Sequence, residues 1–167
     1  VIASNPSVSA PDGLRVATRL QALDTLIVAD FFQSETAEHA DVVFPAAQWA
    51  EETGTMTNLE GRVVLRKRAA APPDGVRTDT EILCGLAGQL AKARWFRYQS
   101  DEEVSDELRR PTAGAPADYS DITYRRLEDE QGVFWPCSAS TNPSGTPRLF
   151  GGGFPSPSRR ARFHATP

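Results

Sequence analysis

Two short apolar runs, residues 25–28 and 41–45, are separated by a polar stretch too long for a hairpin turn, and this constrains the chain more than any other feature. Strands joined by a crossover of about a dozen residues pair in parallel, because a tight turn joins only antiparallel neighbours. A further apolar run, Val1-Ile2-Ala3, comes first, and a helical pattern over 12–22 follows it. Leu14, Val16, Ala17, Leu20 and Leu23 recur there at nearly 3.6-residue spacing and predict one buried face, with Asp12 as N-cap after Pro11. The order strand, helix, strand, polar turn, strand predicts an α/β fold: a partial Rossmann-like parallel sheet with helices.

The rest of the chain is less regular. Residues 54–62, rich in Gly, Thr and Asn, predict a loop, and Val63-Val64-Leu65 a brief extended run into Arg66-Lys67-Arg68, a basic cluster of the kind that usually forms a solvated face. Pro72-Pro73-Asp74-Gly75 is a turn signal. Ile82, Leu83, Leu86, Ala87, Leu90 and Ala91 fall at helical spacing within 78–93, so that segment predicts an amphipathic helix capped by Thr78 or Asp79, with Cys84 in the core. A second helix is expected at 101–110, a linker at 111–116 and a short helix at 119–127. From Gly132 onward Pro, Gly and Ser dominate, and such a tail makes no core of its own. The expected organisation is a Rossmann-like domain over 1–95, a helical extension over 96–132 and an irregular, loop-rich connector over 133–167.

Composition removes several classes of function. The 167 residues are 40% hydrophobic and 24% charged, enough for a globular core, and the net charge of -4 gives no basic field for nucleic acid. No apolar run reaches the roughly 20 residues of a membrane segment. The two cysteines, Cys84 and Cys137, are far apart and in no CxxC pair, so they build neither a zinc nor an iron-sulfur site and read as reduced thiols of a cytoplasmic protein. There is no initiating Met and no signal-peptide pattern, and a chain that opens in mid-strand reads as a piece of a larger protein.

Catalytic and metal-binding constellations are not found. His39 and His164 lack an HExxH or GxSxG context, and Glu51 and Glu52, adjacent on the chain, point in different directions. Neither GxGxxG nor GxxxxGK(S/T) is present, so a free-standing NAD or ATP enzyme is poorly supported. What the topology does offer is the carboxyl edge of a parallel sheet, where diverging loops leave room for a ligand. Ser4-Asn5-Pro6, Asp30 and Pro45-Ala46-Ala47-Gln48 fall at that edge. Asn5 can donate and accept toward a base or phosphate, whereas Asp30, acceptor-only, suits the N–H groups of a guanine edge or the hydroxyls of a ribose. Taken singly, each reads as a turn former; paired at corresponding strand ends, they point to a nucleotide-type ligand.

The run Ala40-Asp41-Val42-Val43-Phe44-Pro45-Ala46-Ala47, followed by Trp49-Ala50-Glu51-Glu52-Thr53-Gly54-Thr55-Met56-Thr57-Asn58-Leu59-Glu60-Gly61-Arg62-Val63, resembles the molybdopterin oxidoreductases. The tail, from Gly132-Val133-Phe134-Trp135-Pro136-Cys137 to Arg160-Ala161-Arg162-Phe163, most resembles bacterial assimilatory nitrate reductases; similar tails occur in formate dehydrogenases. The resemblance implies an internal part of a catalytic subunit that holds one of two molybdopterin guanine dinucleotides (bis-MGD), leading toward a C-terminal β-barrel domain. It places Asn5, Ala29, Asp30, Glu52 and Asp79 at cofactor-contact positions, with Asn5 and Asp79 as polar anchors and Asp30 receiving guanine N–H groups. Glu52 stands where relatives carry Lys, and Ser158-Arg159-Arg160 where Asp-Gly-Arg is usual.

By the same resemblance, molybdenum and a 4Fe-4S cluster are bound elsewhere in the intact enzyme, so no catalytic and no metal-ligating residue is assigned to this chain. Its partners would be the remaining domains of the catalytic subunit and an electron-donor protein or subunit, with no nucleic acid and no membrane segment. Nitrate reduction is the expected activity of the intact enzyme, formate dehydrogenation the alternative, and a non-catalytic module that keeps the fold a third possibility. Alone, the chain is expected to be inactive and, with apolar surface left uncovered, to self-associate.

Overall fold

The computed structural model describes residues 4–164, so the expected strand at Val1-Ile2-Ala3 lies outside the described residues. The described residues form two compact units, the first from residues up to 54 and from 66 to 104, the second from 55 to 65 and from 105 onward. Helices, a parallel strand pair and an antiparallel sheet together make the α/β class that the sequence predicts.

In the first unit, α1 (Pro6–Ser9) and α2 (Gly13–Gln21) precede β1 (Ile27–Asp30) and β2 (Val42–Pro45). Asp12 caps α2 as expected, its side chain accepting from the Arg15 N–H. The helix buries less than its periodicity implies: Val16, Ala17 and Leu20 are half-buried, while Leu14 is 86% exposed and Leu23 also faces outward. β1 and β2 pair in parallel, Ile27 opposite Val42 through Asp30 opposite Pro45. The crossover is pinned at its return by Asp41, whose carboxylate accepts from the Leu26 N–H at 2.7 Å. Val28 packs with Leu26 and Ala37 on one side of the pair, while Ala29 packs with Ala46 and Ile82 on the other. The strand therefore starts two residues later than the apolar run and reaches Asp30, because the ladder is set by pairing with β2.

An additional parallel bridge joins Ala46 to Arg77, with Arg77 N–H donating to the Pro45 carbonyl and Ala47 N–H donating to that of Arg77. It delivers the chain into α3 (Asp79–Gln89). Thr78 caps this helix in a full capping box with Glu81, which decides between the two expected caps. Ile82 and Ala87 are buried, Leu86 and Cys84 half-buried, and Leu83 and Leu90 exposed. Cys84 is thus not a core residue, because it turns away from the sheet-facing side that Ile82 occupies.

The second unit corrects the expected loop at 54–62. Gly54–Thr57 is a strand, β3, beside β4 (Arg62–Arg66), and the turn between them is tied by Asn58, whose side chain accepts from the N–H groups of Glu60 and Arg62. Thr and Met are acceptable strand residues, and here the composition of a tight turn concealed the strand before it. α4 (Asp101–Thr112) runs past Pro111 into the expected linker, and α5 (Tyr124–Asp129), capped by Thr123, starts later than expected. β5 (Val133–Phe134) lies antiparallel to β4, with Val63 opposite Val133. The core consists of Val63, Ile122, Leu127, Val133 and Cys137. The Pro- and Gly-rich tail thus adds two residues to a core whose other members lie upstream. Its fold is held by local polar bonds: Ser138 and Asn142 exchange backbone hydrogen bonds, and the Thr146 hydroxyl donates to the Pro136 carbonyl.

Candidate nucleotide-binding site

Asn5, Ala29, Asp30, Glu52 and Asp79 all line one cavity of the first unit, with a volume of about 480 Å³. Each reaches it by a different route. Ala29 and Asp30 end β1, Asn5 opens α1, Glu52 follows the loop after β2, and Asp79 is the first residue of α3. Ala46 and Ala47, small residues directly after β2, also line it. Phe31, Phe32 and Trp49 add aromatic surface; they are 68%, 70% and 65% exposed, so their faces are open to a planar partner.

Asp30 is held on both carboxylate oxygens. Ser34 Oγ donates to Oδ2 at 2.7 Å, and the Phe32 N–H donates to Oδ1 at 3.4 Å. A carboxylate offers about four acceptor sites, so roughly two remain for a ligand. Asn5 is more heavily committed. Its Oδ1 accepts from both the N–H and the hydroxyl of Thr36, and its Nδ2 donates to Glu35 at 2.7 Å, leaving one amide hydrogen. The backbone N–H of Glu35 and then this Asn5 contact hold the Glu35 carboxyl below its ordinary range. Asn5 therefore ties the turn at 34–36 to the start of α1, a role the sequence did not reveal.

Glu52 forms an ion pair with Arg66 at 3.0 Å. Arg66, grouped in the sequence with a solvated basic run, is instead half-buried, and its Nε has no hydrogen-bond partner. Burial, followed by the negative charge of Asp79, pushes the Glu52 carboxyl up, against the downward pull of Arg66. Glu52 also borders a second, polar depression with Glu51, Glu81, Cys84 and Asp101. Burial, and after it the charge of Asp30, raises the Asp79 carboxyl.

A raised carboxyl pKa in the folded state means that ionisation costs stability there, a cost fully present above the folded pKa and relieved as pH falls through it. Asp79→Asn should accordingly shift the melting temperature increasingly in the variant's favour as pH rises from about 4, the ordinary carboxylate range, to 7. Parallel melting curves at several pH values test this; a difference independent of pH would contradict the assignment.

Three carboxylates face the cavity and the single partnering guanidinium is engaged with Glu52, so this end favours a ligand edge that donates hydrogen bonds over one bearing phosphate. The residues that sequence reading missed are Ser34, Thr36 and the aromatic rim. Only the Asp-x-x-x-Ser spacing after the strand could have signalled the first.

Residues 1–89 match the family model described as Molybdopterin oxidoreductase. The chain belongs to the molybdopterin oxidoreductase family. Among its relatives, the assimilatory nitrate reductase catalytic subunit of Bacillus subtilis is 44% identical over all of this chain and 23% of its own length. The F420-dependent formate dehydrogenase subunit alpha of Methanocaldococcus jannaschii is 43% identical over 87% of this chain and 21% of its own. An assimilatory nitrate reductase of Haloferax mediterranei is 40% identical over 97% and 23%. This molybdopterin oxidoreductase chain thus spans less than a quarter of the length of these relatives. No helix among its described residues is long and apolar enough to cross a membrane.

Proposed function

We propose that this chain holds the guanine dinucleotide end of a molybdopterin cofactor within a larger catalytic subunit whose activity is the reduction of nitrate to nitrite. The observation that supports the reading most is the convergence of Asn5, Ala29, Asp30, Glu52 and Asp79 on one cavity at the carboxyl edge of a parallel strand pair. A guanine fits the acceptors present: Asp30 accepts from the N1–H and 2-amino groups, the aromatic rim covers the ring faces, and the alanines after β2 leave room. Asp79, at the start of α3, accepts from a ribose hydroxyl or a second ring N–H.

When bound, the molybdenum–pterin group supplies two-electron redox chemistry and oxygen transfer. The residues of this chain orient the nucleotide and set the charge around it. In this reading the molybdenum and 4Fe-4S ligands and the docking surface for a cytoplasmic electron donor lie in the remaining domains. Formate oxidation is the second reading, favoured by the nearly equal identity to a formate dehydrogenase. Assaying the complete subunit with reduced viologen plus nitrate, and with formate plus oxidised viologen, separates the two.

The binding claim is tested on the 167-residue chain by thermal unfolding with GDP. At a hundredfold excess over Kd, a single site adds about 2.7 kcal/mol of apparent stability, a rise of several degrees. The gain is expected to vanish in Asp30→Ala. Absence of any gain at millimolar GDP, or a gain that survives the substitution, would sink the assignment.

A further inference from the structure

The Asp30 carboxylate is fixed in orientation by a neighbour that accounts for more than loop structure. Ser34 is buried, lines the cavity, and sits at the crossing of two hydrogen bonds with opposite polarity. Its Oγ accepts from the Ala37 N–H at 3.4 Å and donates its one hydrogen to Asp30 Oδ2 at 2.7 Å. A hydroxyl has a single hydrogen, and the short 2.7 Å contact to Oδ2 commits it to the carboxylate. The backbone around Ser34 is itself held, its N–H donating to the Phe32 carbonyl and its carbonyl accepting from Glu38. The fully buried Thr36 then ties the turn to Asn5 and Ser7.

We propose that Ser34 is a positioning residue that makes the site select guanine over hypoxanthine by locking the plane of the Asp30 carboxylate. The inference rests on the guanine reading above and adds a specificity device to it. Guanine presents two parallel donors, N1–H and the 2-amino group, and a carboxylate meets both only when its plane is aligned with the base. Hypoxanthine lacks the 2-amino group and presents one donor, which a freely rotating carboxylate satisfies equally well. Removing the Ser34 hydroxyl frees that rotation, so the loss falls on the two-donor base. Phe32 N–H, at 3.4 Å from Oδ1, is too long a bond to hold the plane by itself.

The test compares GDP and IDP binding to the 167-residue chain by calorimetry or thermal shift, in the wild type and in Ser34→Ala, Ser34→Cys and Ser34→Thr. The wild type is expected to prefer GDP by about tenfold or more, the worth of one hydrogen bond to a charged group. In Ser34→Ala the GDP/IDP ratio should fall toward one, with IDP affinity nearly unchanged. Ser34→Cys, close in size and a weak donor, should behave alike and serves if the alanine variant does not fold; Ser34→Thr should restore the ratio. Thr36→Val loosens the same turn without touching Asp30 and should lower both nucleotides together. If Ser34→Ala or Ser34→Cys weakens GDP and IDP equally, or leaves the ratio intact, Ser34 is only a loop residue and the inference is overturned. A wild-type chain whose GDP binding ignores Asp30→Ala overturns the guanine reading itself, a result distinguishable from failure at Ser34 alone.

Discussion

Gly145→Ala is expected to destabilise the second unit by about 3 kcal/mol or more, at or beyond the upper end of the usual range for single substitutions. Gly145 is buried with φ of +71°, and a Cβ there would lie 2.2 Å from the Phe134 carbonyl oxygen and 3.0 Å from its carbon. The obstacle is backbone, so no side-chain rotation relieves it. Relief requires moving either β5 or the turn at 142–146, which is held by the Gly145 N–H donating to the Asn142 carbonyl and the Thr146 N–H donating to that of Phe134. Gly114 provides the control. Its φ of +78° is equally left-handed, yet nothing lies within 4 Å of its would-be Cβ. Gly114→Ala therefore bears only the conformational cost of about 1–2 kcal/mol. Chemical denaturation of both variants checks this; equal losses would show that backbone conformation, and not the Phe134 carbonyl, sets the requirement at Gly145.

The second large effect is expected at Arg126. Its guanidinium donates from Nε and Nη2 to the two Glu130 oxygens at 2.7 and 3.0 Å, and from Nη1 to the Asp121 carboxylate. Further bonds reach the Pro143 carbonyl at 3.0 Å and the Cys137 sulfur at 3.4 Å. One side chain thus links α5 to the segment before it and to the Pro-rich tail. Arg126→Ala is expected to cost about 2–3 kcal/mol, a magnitude set by hydrogen bonds to charged groups that are only half-buried. Arg125→Ala removes a neighbour whose side chain is 91% exposed and whose Asp129 contact is 3.7 Å, and should change stability by less than about 0.5 kcal/mol. Amide exchange at Val63 and Val133, in the core beneath α5, is the readout: acceleration in Arg126→Ala alone is the expected result, and equal behaviour of the two variants would refute the linking role.

Both sites lie in stretches where local sequence reading was weakest. Trp135-Pro136-Cys137 carries no periodic pattern that signals burial, yet Cys137 is fully buried beside Ile122 and Leu127. Its burial depends on β5 pairing with β4 some seventy residues upstream, at Val63 opposite Val133, which no window of neighbouring residues contains. The strand at 54–57 was lost for a related reason: it draws its hydrogen-bond partners from across a turn whose Gly and Asn dominated the local composition. Cys84 erred in the opposite direction. Helical periodicity predicted a helix within 78–93, of which 79–89 is helical, but not how wide a stripe the sheet would cover, and only Ile82 and Ala87 are buried.

At the candidate site the division is similar. Asn5, Asp30 and the residues after Pro45 were legible because each follows or ends an apolar run, and the carboxyl edge of a parallel sheet is where loops diverge. Asp79 and Glu52 came from the family resemblance; the Ala46–Arg77 bridge carries the chain back to the strand ends just before Asp79, and Glu52 is held by its ion pair with Arg66. Sequence by itself determined the α/β class, the parallel pairing and the cap at Asp12, and narrowed the cap of α3 to Thr78 or Asp79, because these arise from periodicity and short-range hydrogen bonding. Tertiary structure alone decided that Asn5 secures a turn, that Arg66 pairs with Glu52, and that the tail completes the second core. Each of these depends on groups far apart in the chain, and burial, which sets the strength of such contacts, exists only once the chain has folded.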